Sequence, residues 1–447
     1  MAISTPSGRG GIGIVRLSGP DAWKIAREIF CAKKELQHAT AIYGHVTDIK
    51  EVRLDEAVAT AFTSPRSYTG EDVVELATHG APVILNALLE TAIARGARLA
   101  EPGEFTQRAF ANGRMDLTQA EAVHDLIAAR TLEQVHQASA QLSGSLSREL
   151  RQPKETLLRL VALLEAGMDF ASGELDDVEV VSPELIRGEI LSTLSHLTSL
   201  AETFRTGSLL RNGAAIALVG RPNVGKSSLF NRLLQRDRAI VTPIAGTTRD
   251  TLEEDISLAG IPIRLVDTAG LRHLDETLEQ APDTVEVIGI ERTREALAEA
   301  DLVIFVHDAR EDLNVAERQL LEQLQLRPHL LVANKSDLAA DRPSASLSVS
   351  ALTGENLPAL QQELRTKLQS DTALSEVAAL TTPRQNEAIR QAIEALELAL
   401  TANQNALPHE VLLMDLHRAR LALDSLTGAT TPDDILGRIF STFCIGK

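Results

Sequence analysis

The sequence predicts a multidomain α/β protein in which one domain is inserted into another. Three observations carry this. A length of 447 residues implies about three domains of ordinary size. Across residues 212–370, buried apolar runs alternate with helical runs, the pattern of a mostly parallel sheet covered by helices. The stretches on either side, 113–211 and 371–447, read as helix and flank this insert, so they can pair as one discontinuous helical domain.

The elements follow in chain order. Residues 1–112 mix short β-type runs at 12–17 and 57–62 with a helical stretch at 83–94, which reads as a small α+β domain. Gly8, Gly10, Gly11 and Gly13 cluster before and within what reads as its first strand. Between residues 149 and 170, Leu150, Leu157, Leu160, Val161 and Leu164 recur at helical spacing. Pro153 is placed near the start of that helix, where proline is tolerated. In the insert, strands are predicted at 214–219, 263–266, 302–306, 330–333 and 347–349. A last helical zone, 383–447, carries Leu412, Leu416, Leu421 and Leu423. Neither helical zone holds a fixed-period repeat.

Composition narrows the classes. With 44% hydrophobic and 24% charged residues the chain is globular, and with 3% aromatics its cores must be built from Leu, Ile, Val and Ala. A net charge of −18 is a poor counterion for a phosphate backbone, so any nucleic acid is met locally or through a partner. Two distant cysteines, Cys31 and Cys444, make no disulfide framework and fit a reducing cytoplasm. No apolar run reaches membrane-spanning length, and the N-terminus lacks the regions of a signal peptide. The expected location is cytoplasmic, with membrane touched at most through a partner.

The insert carries the chemistry. Gly220-Arg-Pro-Asn223-Val224-Gly225-Lys226-Ser227 meets every required position of a phosphate-binding loop, and it lies between an apolar strand and a helical run that starts at Ser228. Its backbone N–H groups wrap phosphates, helped by the positive end of the helix. Lys226 reaches the β- and γ-phosphates, and Ser227 ligates Mg²⁺. Asp267-Thr268-Ala269-Gly270 follows another strand; its Asp holds Mg²⁺, usually through water, and its Gly N–H meets the γ-phosphate. Asn334-Lys335-Ser336-Asp337 follows a third strand. The Asp337 carboxylate accepts from N1 and N2 of guanine, a donor pair that adenine lacks. Ser350-Ala351-Leu352 resembles the last guanine-binding loop, and Thr248, within Gly246-Thr247-Thr248-Arg249-Asp250, is the candidate second Mg²⁺ ligand. Five motifs in this order resemble the translation-factor-related GTPases, with a Ras-like G domain and GTP as substrate. Leu271 stands where Ras-like enzymes carry a water-orienting Gln, so another group must position the water. Asn223 is read in two ways, as a loop-capping residue or as the ligand of a monovalent cation standing where an arginine finger would.

Further motifs run the whole length. Residues 8–16 (Gly-Arg-Gly-Gly-Ile-Gly-Ile-Val-Arg), 67–75, 102–110 and 116–122, and the terminal Phe443-Cys444-Ile445-Gly446-Lys447, resemble the MnmE (TrmE) family of tRNA modification GTPases. The resemblance implies an aminomethyl-type group, commonly carboxymethylaminomethyl, installed on C5 of the wobble uridine of certain tRNAs. It implies a homodimer, a flavoprotein partner MnmG (GidA) in a heterotetramer-type complex, and tRNA met mainly through that complex. It gives the N-terminal domain a folate-binding-like fold holding 5-formyl- or 5,10-methylene-tetrahydrofolate and the dimer contact. Arg16, Glu75, Arg114 and Lys447 are the implied folate contacts; without the family each reads as a surface charge. The resemblance also makes Asn223 a K⁺ ligand, helped by Thr242, Ile244 and Thr247 of a loop (with Pro243, Ala245, Gly246) that covers the phosphates. Glu286 is the implied catalytic, water-positioning residue, beside Lys226 and Thr248; its plain reading is an exposed Glu at a helix start. Cys444 is a candidate nucleophile near the one-carbon group.

The chain departs from the pattern in places. Family members usually have a first strand before the segment that begins at Ala2, so the start reads as truncated or misassigned. Arg114 stands where Lys is usual, Ala81 where Gly is usual, and the stretch 271–286 is longer than usual. The alternative functions are a GTP switch in ribosome assembly and a dynamin-like structural GTPase. The first lacks a second phosphate loop or a basic Gly-x-x-Gly loop here, and the acidic charge argues against the second.

Overall fold

The computed structural model describes residues 1–171, 182–236, 255–258, 260–267, 300–325, 327–339, 347–368 and 378–446. They form two compact units: residues 1–124, 141–161 and 414–447, and residues 125–140 and 162–413.

The first unit is built on an antiparallel sheet. Its strands are β1 (Ala2–Ile3), β2 (Gly10–Ser18), β3 (Phe30–Cys31), β4 (Ala41–Thr47), β5 (Arg53–Phe62) and β6 (Val73–Gly80), in the order β1-β2-β6-β5-β4-β3. Side chains alternate across each strand, so Val15, Leu17, Ala57, Ala59, Ala61, Val74 and Leu76 all point to one face. Helices Ala22–Ile29 and Pro82–Ala94 cover that face with Ile25, Ile29, Leu85 and Leu88. Gly13 lets Leu85 pack close to β2: a Cβ there would stand 2.7 Å from the Leu85 side chain, which would have to shift. The strand expected to be first is therefore second. β1 pairs Ala2 with Arg16 and Ile3 with Val15.

Helix Ser145–Ala171 begins one full turn before the predicted start, so Pro153 is interior rather than near the N-terminus. An interior proline removes one helical hydrogen bond and crowds the carbonyl four residues back. Buried Leu146 and Leu150 before it and Leu157, Leu160 and Leu164 after it hold the helix through that defect. A smaller cluster gathers Leu117, Ala120, Val123, Phe440 and Phe443.

The second unit holds the sheet β7 (Ala214–Val219), β8 (Asp255–Leu258), β9 (Ile261–Asp267), β10 (Leu302–Asp308), β11 (His329–Asn334) and β12 (Leu347–Val349). The order is β12-β11-β10-β7-β9-β8, and only β8 runs antiparallel to its neighbour. All six residues of β7 are buried because helices cover both faces. Helices Lys226–Arg236 and Leu357–Leu368 pack on one side through Leu229, Leu233, Leu360 and Leu364. Val315–Leu324 packs on the other against Val303 and Phe305. Helix Pro183–Glu202 lies along Pro383–Gln404. Each starts with proline behind a capping hydroxyl: Ser182 accepts from the Leu185 N–H and Thr382 from the Gln385 N–H.

Candidate functional site

In the second unit, β7, β10 and β11 end side by side, and the loops that follow them meet. After β7 the chain turns at Gly220, whose φ of +153° sets the backbone so close to β10 that a Cβ would stand 2.1 Å from the Val306 carbonyl. Asn223 (φ +64°) and Gly225 (φ +94°) are left-handed. Residues in that conformation beside right-handed ones turn successive N–H groups into a concavity suited to an anion. Lys226, only 7% exposed, opens helix Lys226–Arg236 and curls back to donate to the carbonyls of Gly220 and Arg221, both at 2.8 Å. The loop thus holds the Lys226 ammonium against its own backbone, and phosphate oxygens are better acceptors than those carbonyls. Ser227 and Ser228 follow, exposed in the helix's first turn, and Val224 is buried as the loop's anchor.

The register of β11 brings the second motif to the first. Asn334, 2% exposed, donates from Nδ2 to the Val224 carbonyl at 2.9 Å and accepts at Oδ1 from the Ala351 N–H at 3.0 Å. Both of its polar ends are thus bound to backbone, so it joins the phosphate loop to the loop after β12. Gly225 must be glycine to admit it, since a Cβ would lie 2.2 Å from Asn334 Nδ2. Lys335, left-handed at φ +67°, donates to the Asn223 carbonyl at 2.8 Å. Asp337 is exposed, and Ser350 Oγ donates to its Oδ1 at 2.5 Å, which fixes the carboxylate's direction. Ser336 donates to Glu355, and Leu352 is exposed.

Sequence reasoning missed the residues behind these loops. Asp308, the last residue of β10 and 5% exposed, takes Arg310 on both carboxylate oxygens and Lys335 on Oδ2 at 2.8 Å. The Arg310 hydrogen bonds, with Lys335 beside them, outweigh burial and hold this carboxyl far below the usual carboxylate range. Arg221 reaches Glu317 at 2.6 Å and Glu311 at 2.9 Å. An acidic residue closing a central parallel strand was the available signal.

In the first unit, three of the four implied folate contacts come together. Arg16 on β2 and Glu75 on β6 are cross-strand partners, and Arg16 donates to Glu75 Oε1 through Nε and Nη2, each at 2.8 Å. The guanidinium also lies 5.8 Å from the Tyr68 ring centre and 5.6 Å from that of Phe105, and it donates to the Gly446 carbonyl at 3.3 Å. A pocket of about 410 Å³ adjoins them, lined by Phe62, Arg66, Ser67, Tyr68, Val73, Glu75 and Arg114. That volume suits a drug-sized ligand. Its apolar walls, one carboxylate and two guanidinium groups fit a flat, hydrogen-bonding ring system with an anionic tail. Cys444, in the tail segment, is exposed.

Several candidates fall outside the described residues: Thr242, Pro243, Ile244, Ala245, Gly246, Thr247, Thr248, Thr268, Ala269, Gly270, Glu286 and Lys447, as well as the side chain of Asp267. Among the described residues no cluster of His, Cys, Asp and Glu suits a metal ion, and no helix is long and apolar enough to cross a membrane.

The family model for the GTP-binding protein TrmE N-terminus matches residues 1–114, and that for the MnmE helical domain matches residues 117–444. The chain is 46% identical to the tRNA modification GTPase MnmE of Koribacter versatilis, with 100% of this chain and 98% of that protein covered. The chain belongs to the MnmE family. It is also 42% identical to the MnmE of Aquifex aeolicus, over 100% of this chain and 99% of that one. Among solved structures, the Era protein of Aquifex aeolicus with GDP and aluminium fluoride aligns at a TM-score of 0.27 and 25% identity, over 41% of this chain and 67% of that one. For this MnmE-family chain the G-domain assignment rests on its own strand order and loops.

Proposed function

We propose that this protein hydrolyses GTP in the service of tRNA modification, using Mg²⁺ at the phosphates and K⁺ beside Asn223, and that residues 212–370 are its G domain. The observation that carries the reading is the meeting of the phosphate loop and the Asn334–Asp337 loop through the Asn334 and Lys335 hydrogen bonds. Lys226 binds the β- and γ-phosphates once it exchanges its two carbonyl partners for phosphate oxygens. Asp337, steered by Ser350, selects guanine. Ser227, at the helix's first turn, is the hydroxyl for Mg²⁺. A monovalent cation at Asn223 supplies the positive charge that an arginine finger supplies elsewhere. Glu286, Thr248 and the 242–247 loop complete the proposed machinery, Glu286 orienting water in place of Leu271.

In the reading we favour, the modification is an aminomethyl-type addition at C5 of the wobble uridine, made in the cytoplasm by a homodimer with the flavoprotein MnmG. The pocket beside Glu75 and Arg114 takes a tetrahydrofolate. The Glu75 carboxylate accepts from the pterin N–H groups, and Arg16, Arg114 and Lys447 meet the anionic tail. Residues 1–112 would then be the folate and dimer domain, and 113–211 with 371–447 the helical domain.

Two experiments test this. GTP hydrolysis should be faster in KCl than in NaCl, and Asn223→Ala should remove the difference; equal rates for the unmodified protein refute the cation role. Calorimetric titration with 5-formyltetrahydrofolate should give about one site per subunit, and no saturable heat refutes the folate assignment.

A further inference from the structure

We infer that Asp308 is a positioning residue of the nucleotide site, one that sets the guanine-selecting loop and the phosphate loop together through the single ammonium of Lys335. The inference rests on reading this site as a guanine-nucleotide site.

The argument begins with strand register. Asp308 closes β10 directly beside Asn334, which closes β11, and the Ala309 N–H donates to the Asn334 carbonyl at 2.8 Å. The first residue past β11 is therefore held next to the Asp308 carboxylate. That residue, Lys335, has a left-handed backbone at φ +67°, which a non-glycine residue keeps only when its surroundings impose it. The ion pair with Asp308 Oδ2 at 2.8 Å is one such restraint, and the bond to the Asn223 carbonyl at 2.8 Å is a second on the same nitrogen. Moving Asp308 thus moves the strained residue from which Asp337 is displayed and also releases the tip of the phosphate loop.

Arg310 makes the carboxylate a fixed point. It donates from its backbone N–H at 3.0 Å and Nε at 2.9 Å to Oδ1, and from Nη2 at 2.8 Å to Oδ2. The segment that follows grips the other side of the phosphate loop. Arg221 is bound by Glu311 and Glu317, and Glu317 is locked in turn by a reciprocal capping pair with Asn314. Residues 308–317 therefore hold the phosphate loop at two points, Arg221 directly and Asn223 through Lys335. None of the five nucleotide motifs contains this segment.

Asp308 acts on the base side and on the loop's tip, through Lys335. Its loss should weaken GDP and GTP by the same factor. A group that senses the γ-phosphate would separate the two nucleotides. The test is calorimetric binding of GDP and of a non-hydrolysable GTP analogue to the full chain with Mg²⁺, for the unmodified protein, Asp308→Asn, Lys335→Met and the double variant. The isosteric Asp308→Asn should weaken both nucleotides equally, by roughly ten- to a hundredfold, the worth of one charged hydrogen bond. In steady-state hydrolysis the loss should fall on KM much more than on kcat. Adding Asp308→Asn to Lys335→Met should change affinity less than about twofold, because the intermediary is already gone. An equal effect of Asp308→Asn in both backgrounds would show a general structural role and overturn the inference, as would unaltered affinity in the single variant. Failure of the unmodified protein to bind either nucleotide would instead overturn the functional reading on which the inference stands.

Discussion

At the carboxyl ends of β7, β10 and β11 the nucleotide cradle is made mostly of backbone, whereas the pocket on the antiparallel sheet of the other unit is made of side chains. The cradle draws on consecutive residues of short loops, with Gly220 and Gly225 admitting close approach and Asn334 tying loop to loop. The pocket draws Glu75 from β6, held by Arg16 of β2, Tyr68 from the loop before β6, and Arg114 from a segment nearly forty residues further on. A backbone site tolerates little change at its glycines and much at its variable positions. A side-chain site fails residue by residue, in proportion to the bonds lost.

The largest effect should come from adding volume to the cradle. Gly225→Val places a β-branched residue at φ +94° and drives Cβ into Asn334. The backbone strain alone costs about 1–3 kcal/mol. Loss of measurable GDP binding with a lowered Tm is expected, and retained binding would break the claim that the cradle is backbone-built. Next comes Asp337→Ala, which should reduce the preference for GDP over ADP by roughly a thousandfold or more, because the carboxylate steered by Ser350 would no longer accept from guanine N1 and N2. Competition binding checks it.

The pocket should respond more gently. Arg16→Ala removes the charged partner of Glu75 and should weaken 5-formyltetrahydrofolate by roughly ten- to a hundredfold. Titration of the variant should still show GDP binding. A complete loss of both ligands would mean that Arg16 supports the fold rather than the pocket.

The smallest effect concerns an ion-pair network elsewhere in the same unit. Glu104 is nearly buried, and burial alone would raise its pKa. Hydrogen bonds from Arg98, the Glu101 N–H and Arg108 overcome this and lower it to about 2 from an ordinary 4.5. A depressed carboxylate contributes stability that is complete above its unfolded value and is lost as pH falls through its folded one. The Tm gap between the unmodified protein and Glu104→Gln should therefore be constant above about pH 5 and close as pH falls from 4.5 towards 2. A gap unchanged down to pH 2 would contradict the network.

The same contrast explains what the sequence revealed. The parallel strands were legible because a strand buried on both faces is an unbroken apolar run, as in β7 and β10. β4 and β6 were not singled out, since Tyr43, Gly44 and His45 in one and Glu75 and His79 in the other face outward or sit half-buried and dilute the pattern. Consecutive loop residues exposed the cradle as a motif. Arg16 and Glu75 are partners only through strand register, so spacing could not pair them, and the resemblance to a family supplied them instead. Asp308 escaped because its only signal, a lone acid closing a central strand, is far less specific than a loop motif. Pro153 was misplaced because helix Ser145–Ala171 begins before its apolar spacing becomes regular.

The most direct test of the account is titration of the purified full chain with GDP and, separately, with ADP, in Mg²⁺ and KCl. One GDP site per chain with no saturable heat from ADP is the predicted result, since Asp337 is fixed for guanine and Lys226 for its phosphates. Equal binding of the two nucleotides, or none of either, would contradict it.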